Sequence, residues 1–253
     1  MMNTKLIDVL KKKILAVDSL AYIDGPIDPE SYFANNLRIL WLLQEPYGND
    51  GKSHDQTIER DNATCLADIC TDRTKDGAKT LSKIVRLAHS LKLGTLFRDD
   101  VFENKEAYQS FRESTAIINM KKTPNPVTDS SNTDFCAAKA KWGDTVLAQI
   151  EAYDPTVIIG GGTLKYHLDG MENFRANILG PFLCNNGDES LRSFKLLDDT
   201  VNVADCYYMQ HQHLVVMPGR KRLFLNANHP CRESNGLYVA ELLLAIMSHL
   251  KMF

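Results

Sequence analysis

The stretch "RILWLLQEPYGNDGK", residues 38–52, decides how the chain is read. Ile39 to Leu43 are apolar on consecutive positions, and Gln44, Glu45, Pro46, Tyr47 and Gly48 follow at once. An unbroken apolar run suits a strand covered on both faces, as in parallel sheets, rather than the alternation of a half-exposed strand. Arg38 to Leu43 therefore reads as a central strand, and the polar cluster marks its carboxyl end.

The pattern recurs downstream. "TAIINMKKTPNP" reads as a second buried strand ending at Asn119 and broken by Pro124 and Pro126. "TVIIGGGTLKYHL" is a third short apolar strand, a glycine turn and a helix start. "CYYMQHQHLVVM" and "KRLFLNANHP" flank the turn "PGR" and read as a hairpin or two adjacent strands. Between them lie helical patterns. Residues 3–20 form an amphipathic helix followed by a loop rich in Asp and Pro. "KTLSKIVRLAHSLKLG" gathers Leu81, Ile84, Val85, Leu87 and Ala88 near one face, with Gly94 as its stop. "DFCAAKAKWGDTVLAQIEAYDP" is a long helix closed by Asp154-Pro155, and a last helix covers residues 236–250. Residues 49–75 read as a polar surface excursion with a short helix around Cys65, and residues 170–204 as irregular. Alternating strands and helices predict an α/β fold: a central, mostly parallel short sheet between two layers of helices, in one domain spanning residues 1–253.

Composition narrows the function classes. The chain has 253 residues, 44% hydrophobic and 24% charged, with a net charge of -3, which argues against strong non-specific nucleic-acid binding. Basic clusters at Lys11 to Lys13, Lys121 and Lys122, and Arg220 to Arg222 read first as solvated surface charge. The six cysteines show no C-x-x-C spacing, so neither a zinc nor an iron–sulfur site is expected, and no cofactor is called for. Scattered cysteines in a chain of this length fit reduced thiols. The apolar stretch "LYVAELLLAIM" is too short to cross a bilayer and carries Glu241, and the N-terminal helix lacks the apolar core of a signal peptide. A soluble, cytoplasmic monomer that does not engage a membrane is expected.

In open parallel sheets, ligands bind at the carboxyl ends of the strands. Here those ends offer Gln44, Glu45 and Tyr47, then Asn119, then a glycine turn, then Asn228 and His229. Taken singly, a His-Pro after a strand is a common structural turn and a strand-end Asn a common loop cap. Four polar strand ends on one edge, however, are costly unless something binds there.

In these motifs the chain resembles the uracil-DNA glycosylase superfamily. "LLQEPYG" is similar to the family's strand-end G-Q-D-P-Y-H, and "AIINMKKTPNP" to a strand ending in the asparagine that reads the uracil edge. "VIIGGGTL" matches a glycine-containing turn, and "NANHPCRES" a late H-P-S motif, in the family's order over residues 36–250. The resemblance implies hydrolysis of the N-glycosidic bond of uracil or another damaged base, flipped out of single- or double-stranded DNA. It assigns Glu45 and His229 to catalysis: Glu45 positions water and stabilises the cationic sugar, and His229 donates to the base carbonyl as negative charge grows. It assigns Gln44, Tyr47 and Asn119 to the base, with Tyr47 rejecting bulkier rings and Asn119 bonding the Watson–Crick edge. Gly161, Gly162, Thr163, Lys121 and Arg232 become contacts to phosphate or DNA.

The departures are specific. Glu45 replaces the aspartate, Gly48 the motif's final histidine, and Cys231-Arg232-Glu233-Ser234 the wedge that follows H-P. These changes keep open a protein of the same fold that binds a base, nucleotide or nucleic acid without excising it. An unrelated hydrolase on a doubly wound sheet, with "GGGTLK" holding phosphate, is the third alternative. The pair His211 and His213 has strand spacing that suits a metal, although solvent-facing histidines are commoner.

Overall fold

The computed structural model describes residues 2–19, 21–43, 76–123, 132–161, 193–196, 199–202, 209–217, 220–230 and 235–250. In chain order the elements are α1 (Met2–Val17), β1 (Gly25–Pro26), α2 (Pro29–Ala34), β2 (Ile39–Leu43), α3 (Asp76–Leu93), α4 (Lys105–Ser114), β3 (Thr115–Asn119), α5 (Asn132–Tyr153), β4 (Val157–Gly161), β5 (Ser193–Leu196), β6 (Asp199–Asn202), β7 (Met209–Met217), β8 (Arg220–Ala227) and α6 (Asn235–Leu250).

The main sheet has six strands in the order β1-β3-β2-β4-β8-β7. Its centre, β3-β2-β4-β8, is parallel throughout, whereas β1 and β7 pair antiparallel at its two edges. All five residues of β2, β3 and β4 are buried, which explains their unbroken apolar character.

Alternate residues of these strands enter two separate cores. Ile39, Trp41, Leu43, Ile117, Ile159 and Leu225 pack with Leu81, Ile84, Val85, Leu87 and Ala88 of α3, Phe111 of α4 and Leu242 of α6. Leu40, Leu42, Ala116, Ile118 and Ile158 face the other way, onto Ile7, Leu10 and Ile14 of α1 and Trp142, Val146 and Ile150 of α5. Helices therefore cover both faces of the sheet. Among the described residues no helix is long and apolar enough to cross a membrane.

Local chemistry sets the element ends. Gly94 closes α3 at φ +70, a conformation open to a residue without Cβ. Asp154 closes α5 at φ +47, and its carboxylate meets Arg38 at 2.9 Å while its carbonyl accepts from Arg38 Nε at 2.7 Å. Arg38 thus ties the end of α5 to the start of β2, at the amino edge of the sheet.

Two expectations are corrected. The loop after α1 contains β1 and α2, the latter started by Pro29 and by Asp28, whose side chain accepts from Ser31 N at 3.2 Å. Outside those expectations, residues 95–114 contain α4, capped by Asn104 through Ala107 N at 2.8 Å. The segment 170–204 is not wholly irregular, because β5 and β6 within it form an antiparallel pair. The expected excursion 49–75 lies outside the described residues.

Candidate functional site

The parallel pairing brings the carboxyl ends of β3, β2, β4 and β8 to one edge of the sheet. Leu43 is opposite Asn119, Leu42 is opposite Gly160, and Gly161 is opposite Ala227. Asn119, Leu43, Gly161 and Ala227 consequently form one row on the face shared with α3, α4 and α6. The chain goes from β2 to β3 on one side and then crosses to β4 on the other. That reversal places a topological switch point between β2 and β4, where open α/β sheets hold their ligands.

Asn119 is the best-defined candidate. It is 3% exposed, and its peptide is fixed on three sides. Its N–H donates to Asp24 Oδ2 at 2.7 Å, its carbonyl accepts from Lys122 Nζ at 3.2 Å, and the next N–H, of Met120, donates to Leu43 O at 2.9 Å. The side-chain amide makes no hydrogen bond to any described residue. Backbone and side chain thus have separate duties: one is anchored, the other is left at the strand end.

Behind it lies a polar cluster inside the fold. Lys122 Nζ reaches Asp24 Oδ1 at 2.7 Å and Oδ2 at 2.9 Å. Gln149 Nε2 donates to Asp24 Oδ1 at 2.8 Å and to Asp24 O at 3.1 Å. Tyr153 Oη donates to Asp24 O at 3.1 Å and accepts from Gln149 at 3.2 Å. Burial pushes the Tyr153 phenol above its ordinary pKa, and the charge of Asp24 adds to this, so the hydroxyl keeps the proton it donates. Burial also lowers the Lys122 ammonium below the ordinary lysine value, with Asp24 acting in the opposite sense. The three acceptors around Nζ match the three protons of an ammonium. The expectation that Lys121 and Lys122 form a solvated pair therefore fails for Lys122, which is fully enclosed; Lys121 is half-buried in the turn leaving β3.

At the other end of the row Gly161 packs where a side chain has little room. A Cβ there would lie 3.0 Å from Leu43 Cδ2 and 3.0 Å from Pro230 Cδ. Pro230 is buried against this backbone, and Tyr238 Oη in α6 donates to Asn228 O at 2.8 Å. His229, half-buried, is held between these two anchors. Gly161 on β4 and Asn119 on β3 are two strand spacings apart, roughly 10 Å at the usual separation of strands.

The sheet thus aligns Asn119, Gly161 and the His229 turn along its carboxyl edge. Gln44, Glu45, Tyr47, Gly162, Thr163 and Arg232 lie outside the described residues. The hairpin expected around "PGR" is present as β7 and β8, with His211 opposite Asn226 and His213 opposite Phe224. Sequence reasoning missed Asp24, Gln149, Tyr153 and Tyr238. Only Gln149 carried a signal: a glutamine among Trp142, Val146, Ile150 and Tyr153, on the apolar side of a helix.

Chemically, the edge offers a carboxamide, which is a donor beside an acceptor, and an imidazole in the turn after β8. Such a pair can read the edge of a planar heterocycle and donate to an oxygen on it. No protein-family model matches the chain, and no curated protein matches it.

Proposed function

We propose that the carboxyl edge of the sheet is a base-recognition pocket, and that the protein hydrolyses the N-glycosidic bond of uracil or another damaged base in DNA. The reading takes the helix-covered sheet as the three-layer arrangement of the uracil-DNA glycosylase superfamily. The observation that carries it is Asn119, a strand-end residue only 3% exposed whose N–H and carbonyl are anchored by Asp24 and Lys122. A carboxamide on a peptide anchored in this way offers one donor and one acceptor to a complementary base edge.

Uracil presents a carbonyl oxygen beside an N–H, which pair with the donor and acceptor of a carboxamide. Cytosine presents an amine beside a bare nitrogen, and the same carboxamide orientation meets donor with donor. In the reaction the C1′–N1 bond breaks with its electron pair passing to the base. His229 donates toward the base oxygen on which charge accumulates, and Glu45 positions the water that attacks C1′. Tyr47 limits the size of the base, Gln44 contributes a backbone amide, and the turn Gly161, Gly162 and Thr163 with Lys121 and Arg232 contacts phosphate.

A second reading is favoured by Glu45 in place of an aspartate and by the net charge of -3. In it the same pocket binds a base or nucleotide without excision, because a placement error of about 1 Å costs on the order of a hundredfold in rate.

Single-turnover incubation with uracil-containing oligonucleotides, single-stranded and duplex, followed by alkaline cleavage, tests both. Excision that is lost in Asn119→Ala, His229→Ala and Glu45→Gln supports the first reading. Saturable binding of the oligonucleotide without excision supports the second. Absence of both refutes the pocket.

A further inference from the structure

The geometry points to Asp24 and Lys122 as positioning residues of the strand-end site, a charged clamp that fixes where Asn119 presents its amide. This inference rests on the base-recognition reading above and names what sets its geometry.

The bonding of the pair leaves it no other chemistry. Asp24 Oδ1 accepts from Lys122 and Gln149, and Oδ2 accepts from Lys122 and from Asn119 N–H. A carboxylate has about four lone-pair sites, so Asp24 is saturated and has no capacity to take a proton from water or substrate. Lys122 spends its three protons on both Asp24 oxygens and on Asn119 O. Through these bonds the pair holds both the N–H and the carbonyl of Asn119, the residue whose side chain stands at the edge.

A need for stability does not explain the pair. Apolar residues of similar volume replace buried ion pairs with little or no loss of stability. A clamp made of directional, charge-assisted bonds instead fixes position and angle. Its base is itself fixed: Gln149 and Tyr153 of α5 hold the carbonyl of Asp24, and Gly25 packs with no space for a Cβ against Tyr153.

The test is the double variant Asp24→Leu/Lys122→Met, made in the wild-type chain and in Asn119→Ala. Its readout is the single-turnover excision rate on a single-stranded uracil-containing oligonucleotide. The double variant is expected to unfold cooperatively, at a melting temperature lowered by the Asn119 N–H and carbonyl it leaves without these partners, and to lose roughly a hundredfold in rate. In the Asn119→Ala chain the same replacement is expected to change the residual rate less than about twofold, because the clamp acts only through Asn119. An unchanged rate in a folded double variant overturns the proposal, as does an equal loss in both backgrounds.

Asp24→Asn keeps volume and one carbonyl acceptor, and it carries the same cycle where the double variant does not fold. Rates that add between Asp24→Asn and Asn119→Ala again overturn the clamp. A side-chain amide signal of Asn119, identified in nitrogen-15 spectra by its loss in Asn119→Ala, separates the clamp from the function. Where the wild-type chain excises nothing and this signal still shifts in Asp24→Asn, the glycosylase reading falls and the clamp stands. Where the signal does not move, the clamp falls.

Discussion

Lys122 Nζ stands 2.7 Å from Asp24 Oδ1 and 2.9 Å from Oδ2, and neither side chain has any exposed surface. Removing the ammonium alone leaves a carboxylate enclosed without its counter-charge. Lys122→Met is therefore expected to cost about 3–5 kcal/mol, far more than the Asp24→Leu/Lys122→Met double variant. Urea unfolding of the two variants measures the difference, and equal stabilities would contradict an enclosed ion pair.

Gly25 precedes Pro26 at φ +154, and a Cβ there would lie 2.7 Å from Tyr153 Oη and 3.0 Å from Cζ. Gly25→Ala is expected to destabilise the protein by about 1–3 kcal/mol through strain and crowding. Tyr153→Phe removes the closest atom. The two changes combined are expected to cost less than the sum of their separate effects, and strict additivity in thermal unfolding would show that the crowding is not felt.

Gly161→Ala tests the packing under the His229 turn. The added methyl meets a proline ring and a leucine already set in the core, each at 3.0 Å. Overpacking of this kind costs about 1–3 kcal/mol, and relief by moving Pro230 displaces His229. The expected outcome is a lowered melting temperature together with weaker oligonucleotide excision or binding. A variant with wild-type stability and wild-type activity would show that the turn yields freely.

Acid sensitivity has a specific source in His89. Its ring is buried, edge-on to Phe97 at 4.7 Å, with Nδ1 2.9 Å from Ser110 Oγ. The Ser110 hydroxyl gives its proton to Glu106 O at 2.8 Å, so Nδ1 carries the hydrogen shared with Ser110. Burial lowers the His89 pKa below its ordinary 6.5; Glu106 opposes the shift and Lys92 adds to it. The unfolded chain then binds this proton more readily than the folded one. The stability tied to the neutral ring is complete above about pH 6.5 and falls as pH drops below it. His89→Gln lacks this titration. Denaturant unfolding from about pH 8 to about pH 5 should show wild type losing more stability than the variant, and parallel curves would refute the assignment.

The elements legible in sequence are those whose burial is written in consecutive residues. β2, β3 and β4 are apolar throughout, and α3 and α5 repeat apolar residues at helical spacing. β1 is two residues long, too short to show any period. α4 escaped notice because it buries Ser110 and Ser114 beside Ala107 and Phe111, and serines ordinarily mark surface. The strand β5 alternates polar and apolar residues over only four positions and β6 carries a single apolar residue, Val201, so neither is long enough to establish a period.

The site divides in the same way. Asn119 and His229 were recognisable because a polar residue ending an apolar strand stands out locally. Asp24 and Lys122 were not, because each is an ordinary charged residue until the fold brings together positions 98 residues apart. A lysine whose partner lies so far along the chain is indistinguishable in sequence from one facing water.

That separation also orders events in time. Asp24 bonds to Lys122 across 98 residues and to Gln149 across 125. A chain emerging from its amino end has Asp24 long before either partner, and during that interval the carboxylate keeps its hydration shell. The loop closures that join these residues are of the slow, non-local kind. A nascent or truncated chain that stops short of Gln149 lacks the bonds from α5 that fix Asp24, the base of the clamp on Asn119, so readiness of the strand-end amide arrives late and reports that the sheet and its second helical face are already in place.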